Sequence, residues 1–168
     1  LVLGDGQNDN SDFGIYTPGD GSIVLWGSSL SADYETKSSY TVLLKTTDSG
    51  GLSYEKEITI NVNDINESPT DLSVSSTIFD ENITAASSIA NLSTTDQDAN
   101  DTQTYSLITG DGDTDNSLFT IDNHQLKINS SPDFESQSSF NIRLKIADSG
   151  DLSYEKAFTL TINDLNEN

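Results

Sequence analysis

The chain of 168 residues has no cysteine and no methionine, and a single histidine, His124. Disulfides, zinc–thiolate sites and thiol catalysis are therefore excluded, as is a histidine-rich metal site. Basic residues are scarce as well, 7 against 28 acidic ones, for a net charge of -21. A surface of that sign repels phosphate, which excludes a nucleic-acid partner and suits bound cations. No apolar run approaches ~20 residues, so no stretch reads as a membrane span. The acidity by itself would also fit disorder, but the strand periodicity below argues for a folded chain.

What is present is an internal repeat. Residues 38–67 align with 138–167 at an offset of 100; 17 of 30 positions are identical, and Tyr40/Phe140 and Val42/Ile142 are typical of the rest. The two halves therefore share one fold. Phe140, Ile142, Leu144 and Ile146 alternate with polar residues, as do Phe158, Leu160 and Ile162. Period-two patterns with one apolar face indicate half-buried antiparallel strands, here joined by the turn Asp148-Ser149-Gly150-Asp151. The first copy repeats them with Tyr40, Val42 and Leu44, then Ile58, Ile60 and Val62, around Asp48-Ser49-Gly50-Gly51. Earlier strands of the second copy are expected near 72–79, 88–94, 103–109, 117–121 and 125–129, seven in all. The sequence predicts an all-β fold, with a β-sandwich in each copy.

Phe13 matches Phe119 at an offset of 106, which puts Leu1-Val2-Leu3 at the end of the strand near 103–109. The first copy then lacks its N-terminal strands, since the counterparts of 70–104 would precede residue 1, and the chain reads as a piece of a longer one. Six extra residues within 13–35 contain Tyr16, Pro18 and Trp26. Trp26 is read as core packing, with a sugar platform formed by Trp26 and Tyr16 as the alternative.

Acids and amides recur at fixed places in the repeat. Asp33-Tyr34-Glu35 and Asp133-Phe134-Glu135 precede the strands at 40–46 and 140–146. Asp64-Ile65-Asn66-Glu67 and Asp164-Leu165-Asn166-Glu167 close the copies. Asp80-Glu81-Asn82 follows the first strand of the second copy, Asp96-Gln97-Asp98 follows a later one, and Asp48 and Asp148 end strands. Side-chain oxygens without nitrogen or sulfur are what a hard cation such as Ca²⁺ binds. The loop Asp111-Gly112-Asp113-Thr114-Asp115-Asn116, with Asp122, has the acid spacing of an EF-hand. Asn116 stands where that loop needs Gly, however, and Phe119 and Ile121 belong to a strand, so it is read as an ordinary loop.

In order and spacing these motifs resemble the cadherin repeat, in the form found in bacterial and other surface proteins. The resemblance implies tandem seven-stranded Greek-key β-sandwiches, here 1–66 (the C-terminal part of a domain) and 67–168 (a complete domain), with Ca²⁺ at the junction. It implies a junction built from Asp33, Glu35, Asp64, Asn66, Glu67, Asp96, Asp98 and Asp148, with Glu81, Asp133, Glu135 and Asp164 forming a half-site for a following domain. Glu67 stands where the family usually has Asp, and Ser68 where it usually has Asn. At ~5 Å and an effective dielectric of ~20, each like-charge pair in such a cluster costs roughly 3 kcal/mol, a cost a cation would remove.

The implied function is calcium-dependent adhesion at the cell surface, with other cadherin-like domains, in tandem or homophilic, or a surface glycan or protein as partner. A carbohydrate-binding module and a passive spacer are the alternatives. Catalysis is not expected, because no base or nucleophile accompanies the carboxylates.

Overall fold

The computed structural model describes residues 2–3, 9–19, 24–27 and 31–167, without the side chains of Val2 and Trp26. The chain divides into two compact units, Leu1–Ile65 and Asn66–Asn168. Unit 1 contains β1 (Val2–Leu3), β2 (Phe13–Tyr16), β3 (Val24–Gly27), β4 (Ser39–Thr47) and β5 (Ser53–Asn61). Unit 2 contains β6 (Asp71–Val74), β7 (Ile78–Asp80), β8 (Ser88–Thr95), β9 (Thr104–Leu107), β10 (Phe119–Asp122), β11 (Gln125–Ile128), β12 (Ser139–Ala147) and β13 (Ser153–Asn163). Among the described residues there is no α-helix.

Unit 2 is a Greek-key β-sandwich of two four-stranded sheets, β10-β11-β8-β6 and β7-β13-β12-β9. The alternation along β12 sets its inner face: Phe140, Ile142, Leu144 and Ile146 are buried and their neighbours are not. Leu160 and Ile162 of β13 and Phe79 of β7 extend that face. Leu72, Ala90, Leu92, Phe119, Leu126 and Ile128 oppose it from the other sheet. Phe119 meets Phe140 edge-on across the layers at 5.5 Å between ring centres, a favoured aromatic geometry. Burying each large apolar side chain contributes about 1.5–3 kcal/mol, which makes this layer the main stabilising element.

The predicted strand at 72–79 is two strands in different sheets. Leu72 pairs with Thr94 in one, and Phe79 lies parallel to Ile162 in the other. The break falls at 75–77, where serine hydroxyls replace ladder bonds: the Ser75 hydroxyl accepts from Asn91 N, and the Ser76 hydroxyl bonds both N–H and C=O of Ile78. Unit 2 thus has eight strands rather than seven. The strand expected at 117–121 begins at Phe119, after a short 3-10 turn at Asn116–Leu118.

Unit 1 repeats half of this plan. β4 pairs with β5 as β12 pairs with β13, residue for residue at the offset of 100. β1 pairs with β4 at Leu3↔Leu44, the place β9 takes at Leu107↔Leu144. Phe13 packs edge-on against Tyr40 as Phe119 does against Phe140. No counterpart of β6, β7 or β8 occurs among the described residues, and Ile58, Ile60 and Val62 are only half-buried. Trp26 sits on β3, with its side chain outside the described set, and Tyr16 is exposed.

The acids of the EF-hand-like loop are used locally. Asp115 accepts from Asn141 N at 2.7 Å and from Gln137 Nε2 at 3.0 Å. Asn116 accepts from Arg143 N at 2.9 Å, and Asp113 accepts from Gly110 N. Unit 1 does the same with Asp9 on Thr41 N and Asn10 on Leu43 N. In both units a consecutive Asp–Asn pair caps the edge of the long strand. Asp5 lies outside the described residues.

Ala86 holds a left-handed backbone, φ 65°, with its N–H donated to Ile128 O at 2.7 Å. That conformation costs a residue with a Cβ about 1–2 kcal/mol, against about 0.5–1 kcal/mol for the extra chain entropy that Gly loses. Ala86→Gly is therefore expected to stabilise unit 2 by about 0.5–1 kcal/mol in urea unfolding. A decrease in midpoint would contradict this account of the turn.

Candidate metal centres

The two ends of β12 each lead to carboxylates. Nine residues at ~3.3 Å each put these ends about 30 Å apart. At the Asp148 end the turn 148–152 shapes the site. Asp148 is buried, and its Oδ1 accepts from Gly150 N at 2.9 Å and Leu152 N at 2.8 Å. Its Oδ2 accepts from Asn66 Nδ2 at 2.9 Å. A Cβ on Gly150 would lie 2.8 Å from that same amide, so a larger residue there would require the Asn66 side chain to shift. Beside it, Asp98 Oδ2 accepts from Glu67 N at 2.9 Å, and Asp98 N donates to Asp96 Oδ1 at 3.2 Å. Asp101, which the motif reading passed over, accepts from Ser149 N at 3.1 Å and from Thr102 N at 2.7 Å. Carboxylate oxygens of Asp96, Asp101 and Asp148 lie within 4.8 Å of one another. Asp96 Oδ2 is buried without a hydrogen-bond partner.

At the start of β12 the second group is Glu81, Glu135 and Asp164, with oxygens again within 4.8 Å. Glu81 is 1% exposed. Its Oε2 accepts from Phe134 N at 2.8 Å and its Oε1 from Leu165 N at 2.6 Å. One buried carboxylate thereby ties the chain before β12 to the chain after β13. Asp133 stands apart from this group: its oxygens take Glu135 N, Ser136 N and the Ser136 hydroxyl. Glu167, outside the predicted set for this end, accepts from Asn82 Nδ2.

In unit 1, Asp33 caps its turn through Thr36 N and the Thr36 hydroxyl, matching Asp133. Glu35 follows it on the surface, and Asp64 is exposed beyond β5. Because Ser39 pairs with Asn61, all three belong to one end of the β4–β5 pair. Asp48 holds Gly50 N and Leu52 N as Asp148 holds its turn, but is exposed.

The electrostatics of the two ends differ. For Glu135 the local backbone N–H lowers the carboxyl pKa most. Desolvation, the charges of Glu81 and Glu167, and Asp133 outweigh it, so the pKa is raised. Its ionised form therefore disfavours the folded state, and stability is lost as pH rises through its folded pKa. Asp101 and Asp133 are lowered, chiefly by the Ser149 and Ser136 side chains respectively. Their contribution is present above the ordinary carboxylate pKa and is lost as pH falls through the folded value. None of the five ion pairs among the described residues involves either group of three.

Both triads are all-oxygen donor sets of hard carboxylates, the ligand chemistry of Ca²⁺. The buried, unpartnered Asp96 Oδ2 fits a site that receives a cation. No protein-family model matches the chain. Protocadherin Fat 4 of mouse is 33% identical over 121 residues, 69% of this chain, and its human counterpart is 32% identical over the same length. The chain belongs to the cadherin repeat family. It spans about 2% of the length of these curated relatives. Among solved structures, the protocadherin GammaB4 extracellular domain superposes with a TM-score of 0.72 at 23% identity, covering 98% of this chain and 26% of that one. Human protocadherin-24 EC1-2 gives 0.69 at 21%, covering 98% and 82%. Protocadherin gammaB7 EC3-6, described as a cis-dimer structure, gives 0.70 at 24%, covering 97% and 40%. Cadherin repeats generally bind Ca²⁺ at domain junctions.

Proposed function

We propose that this chain is a calcium-dependent adhesion segment of an extracellular, cell-surface protein, in which Ca²⁺ stiffens successive cadherin repeats so that a distant face can meet its partner. The observation that carries the reading is the pair of carboxylate triads at the two ends of β12, neither neutralised by a protein cation. The repeats are taken as 1–66 and 67–168. One ligand set comprises Asp33, Glu35, Asp64, Asn66, Glu67, Asp96, Asp98 and Asp148. The other comprises Glu81, Glu135 and Asp164, with Asp133 holding the turn that carries Glu135 and available as a further ligand. In each, the protein aims carboxylates through backbone N–H groups, and the bound cation supplies the charge that lets them stay close. The module works by binding and stiffening rather than by catalysis. Its partners are other cadherin-like domains, in tandem or across cells. The glycan alternative gains no support from the relatives.

Calorimetric titration tests this, paired with small-angle scattering. Calcium is expected to bind and to increase the radius of gyration over that in EGTA. Asp98→Ala is expected to weaken the effect on the radius more than Glu135→Ala, because Asp98 belongs to the junction set. An identical radius in calcium and EGTA would sink the stiffening mechanism.

A further inference from the structure

We propose that the cleft between β9 and the β10–β11 hairpin of unit 2 binds a neutral sugar ring. The proposal goes beyond the calcium reading and does not rest on it. β9 and β10 are edge strands of the two sheets, so the layers part between them. The opening holds a cleft of about 450 Å³ lined by Gln103, Thr104, Tyr105, Ile121, Asn123 and His124, within the range of about 300–1,000 Å³ for small-molecule sites. Tyr16 and Trp26, the residues the sequence offers as a sugar platform, belong to unit 1.

The lining decides the ligand class. Among the described residues it contains no carboxylate, ammonium or guanidinium, in a chain with 28 acidic residues. A hard cation would find no anionic oxygen there, and the net charge of -21 works against an anion. Asp122, between Ile121 and Asn123, is already paired with Lys127 at 2.6 Å. Five of the six side chains can hydrogen-bond: two amides, two hydroxyls and an imidazole. Amides and hydroxyls both donate and accept, as a neutral imidazole does, and the vicinal hydroxyls of a sugar require partners of both kinds. Ile121 and the Tyr105 ring supply apolar surface for the C–H face of the sugar. A purely apolar ligand would desolvate the polar groups without pairing them.

Both walls are fixed by the fold. Tyr105 is half-buried, and its hydroxyl lies 2.9 Å from Thr94 Oγ1 and donates to Gln103 Oε1 at 3.4 Å. With its far end held, the ring is ordered before any ligand arrives, which lowers the cost of binding. At the hairpin, Asn123 takes a left-handed backbone, φ 55°, and its Nδ2 donates to Asp122 Oδ1 at 3.2 Å. His124 O accepts from Leu92 N at 2.7 Å, tying the hairpin tip to β8. Core packing alone would account for Tyr105 and Ile121. It would not account for an uncharged hydrogen-bonding set gathered from two sheets around one open space.

The test is an NMR titration of the full 168-residue chain with the methyl glycosides of glucose, galactose, mannose and N-acetylglucosamine, each in calcium and in EGTA. At least one glycoside is expected to shift the amides of 103–105 and 121–124 selectively, in both buffers. Tyr105→Ala should abolish the shifts. Asn123→Gly removes one amide and suits the left-handed turn. It should therefore fold like the parent and weaken binding about threefold to tenfold, the worth of one hydrogen bond. Thr120→Ala, on β10 but outside the lining, should bind like the parent. If no glycoside shifts these amides, the proposal falls and the calcium reading is untouched. Shifts that vanish in EGTA would place the sugar on a bound ion instead of in the cleft, and would overturn the proposal too. Parental binding by Asn123→Gly, or by a folded Tyr105→Ala, would do the same.

Discussion

Glu81→Ala is expected to destabilise unit 2 by at least about 2 kcal/mol even without calcium. The Glu81 side chain is buried and accepts from two backbone N–H groups, Phe134 N and Leu165 N. A buried donor left without an acceptor costs about 1–3 kcal/mol, and the substitution orphans two. Relief of repulsion with Glu135 and Asp164 works in the opposite direction. Those partners are exposed and the gain is screened by salt, so it is the smaller effect. Calcium should widen the gap between parent and variant, because any ion bound only to the folded state adds stability that the variant forfeits. Site-resolved hydrogen exchange at the buried β12 amides gives the free energy for unit 2 directly. A change below about 0.5 kcal/mol would mean that Glu81 is not the tie between the flanks of β12 and β13.

The second large effect is an asymmetry between equivalent residues. Leu144→Ala is expected to cost about 2–5 kcal/mol, the range for a fully buried leucine whose removal leaves a cavity. Leu44→Ala should cost markedly less, about 1–2 kcal/mol. The two leucines share a register, each opposite a lysine of the next strand, Lys56 or Lys156. Leu144 is 0% exposed and Leu44 only half-buried. The difference comes from the opposing layer: β6, β8, β10 and β11 cover β12 and β13, whereas the described residues of unit 1 offer only the β2–β3 hairpin. For the same reason amides of β4 and β5 are expected to exchange faster than those of β12 and β13. Equal protection in a dilute, demonstrably monomeric sample, or equal losses in the two variants, would show that unit 1 is as well packed as unit 2.

A good part of this was legible without coordinates. Period-two alternation decided which way Phe140, Ile142, Leu144 and Ile146 point, because adjacent side chains on a strand face opposite sides. The offset of 100 predicted equivalent turns, and Asp33/Asp133 and Asp48/Asp148 indeed make the same hydrogen bonds. The family resemblance implies a half-site of Glu81, Asp133, Glu135 and Asp164, and carboxylate oxygens of Glu81, Glu135 and Asp164 lie within 4.8 Å of one another.

What the sequence could not decide is anything that depends on which segments face each other. Ser75 and Ser76 read as ordinary strand residues, and only their hydrogen bonds reveal that the strand changes sheet there. Asp133 and Glu135 look like equal ligands two positions apart, yet one caps a turn and the other meets Glu81 and Asp164. Asp101 carries no motif of its own, and what makes it a candidate ligand is the turn at 148–152, 47 residues further along, whose Ser149 N–H captures its carboxylate. Local alternation and repeat spacing are properties of the chain. Convergence of charges, and the burial that gives it energetic weight, are properties of the packed sheets, because only packing brings distant oxygens within one ion's reach and excludes water from between them.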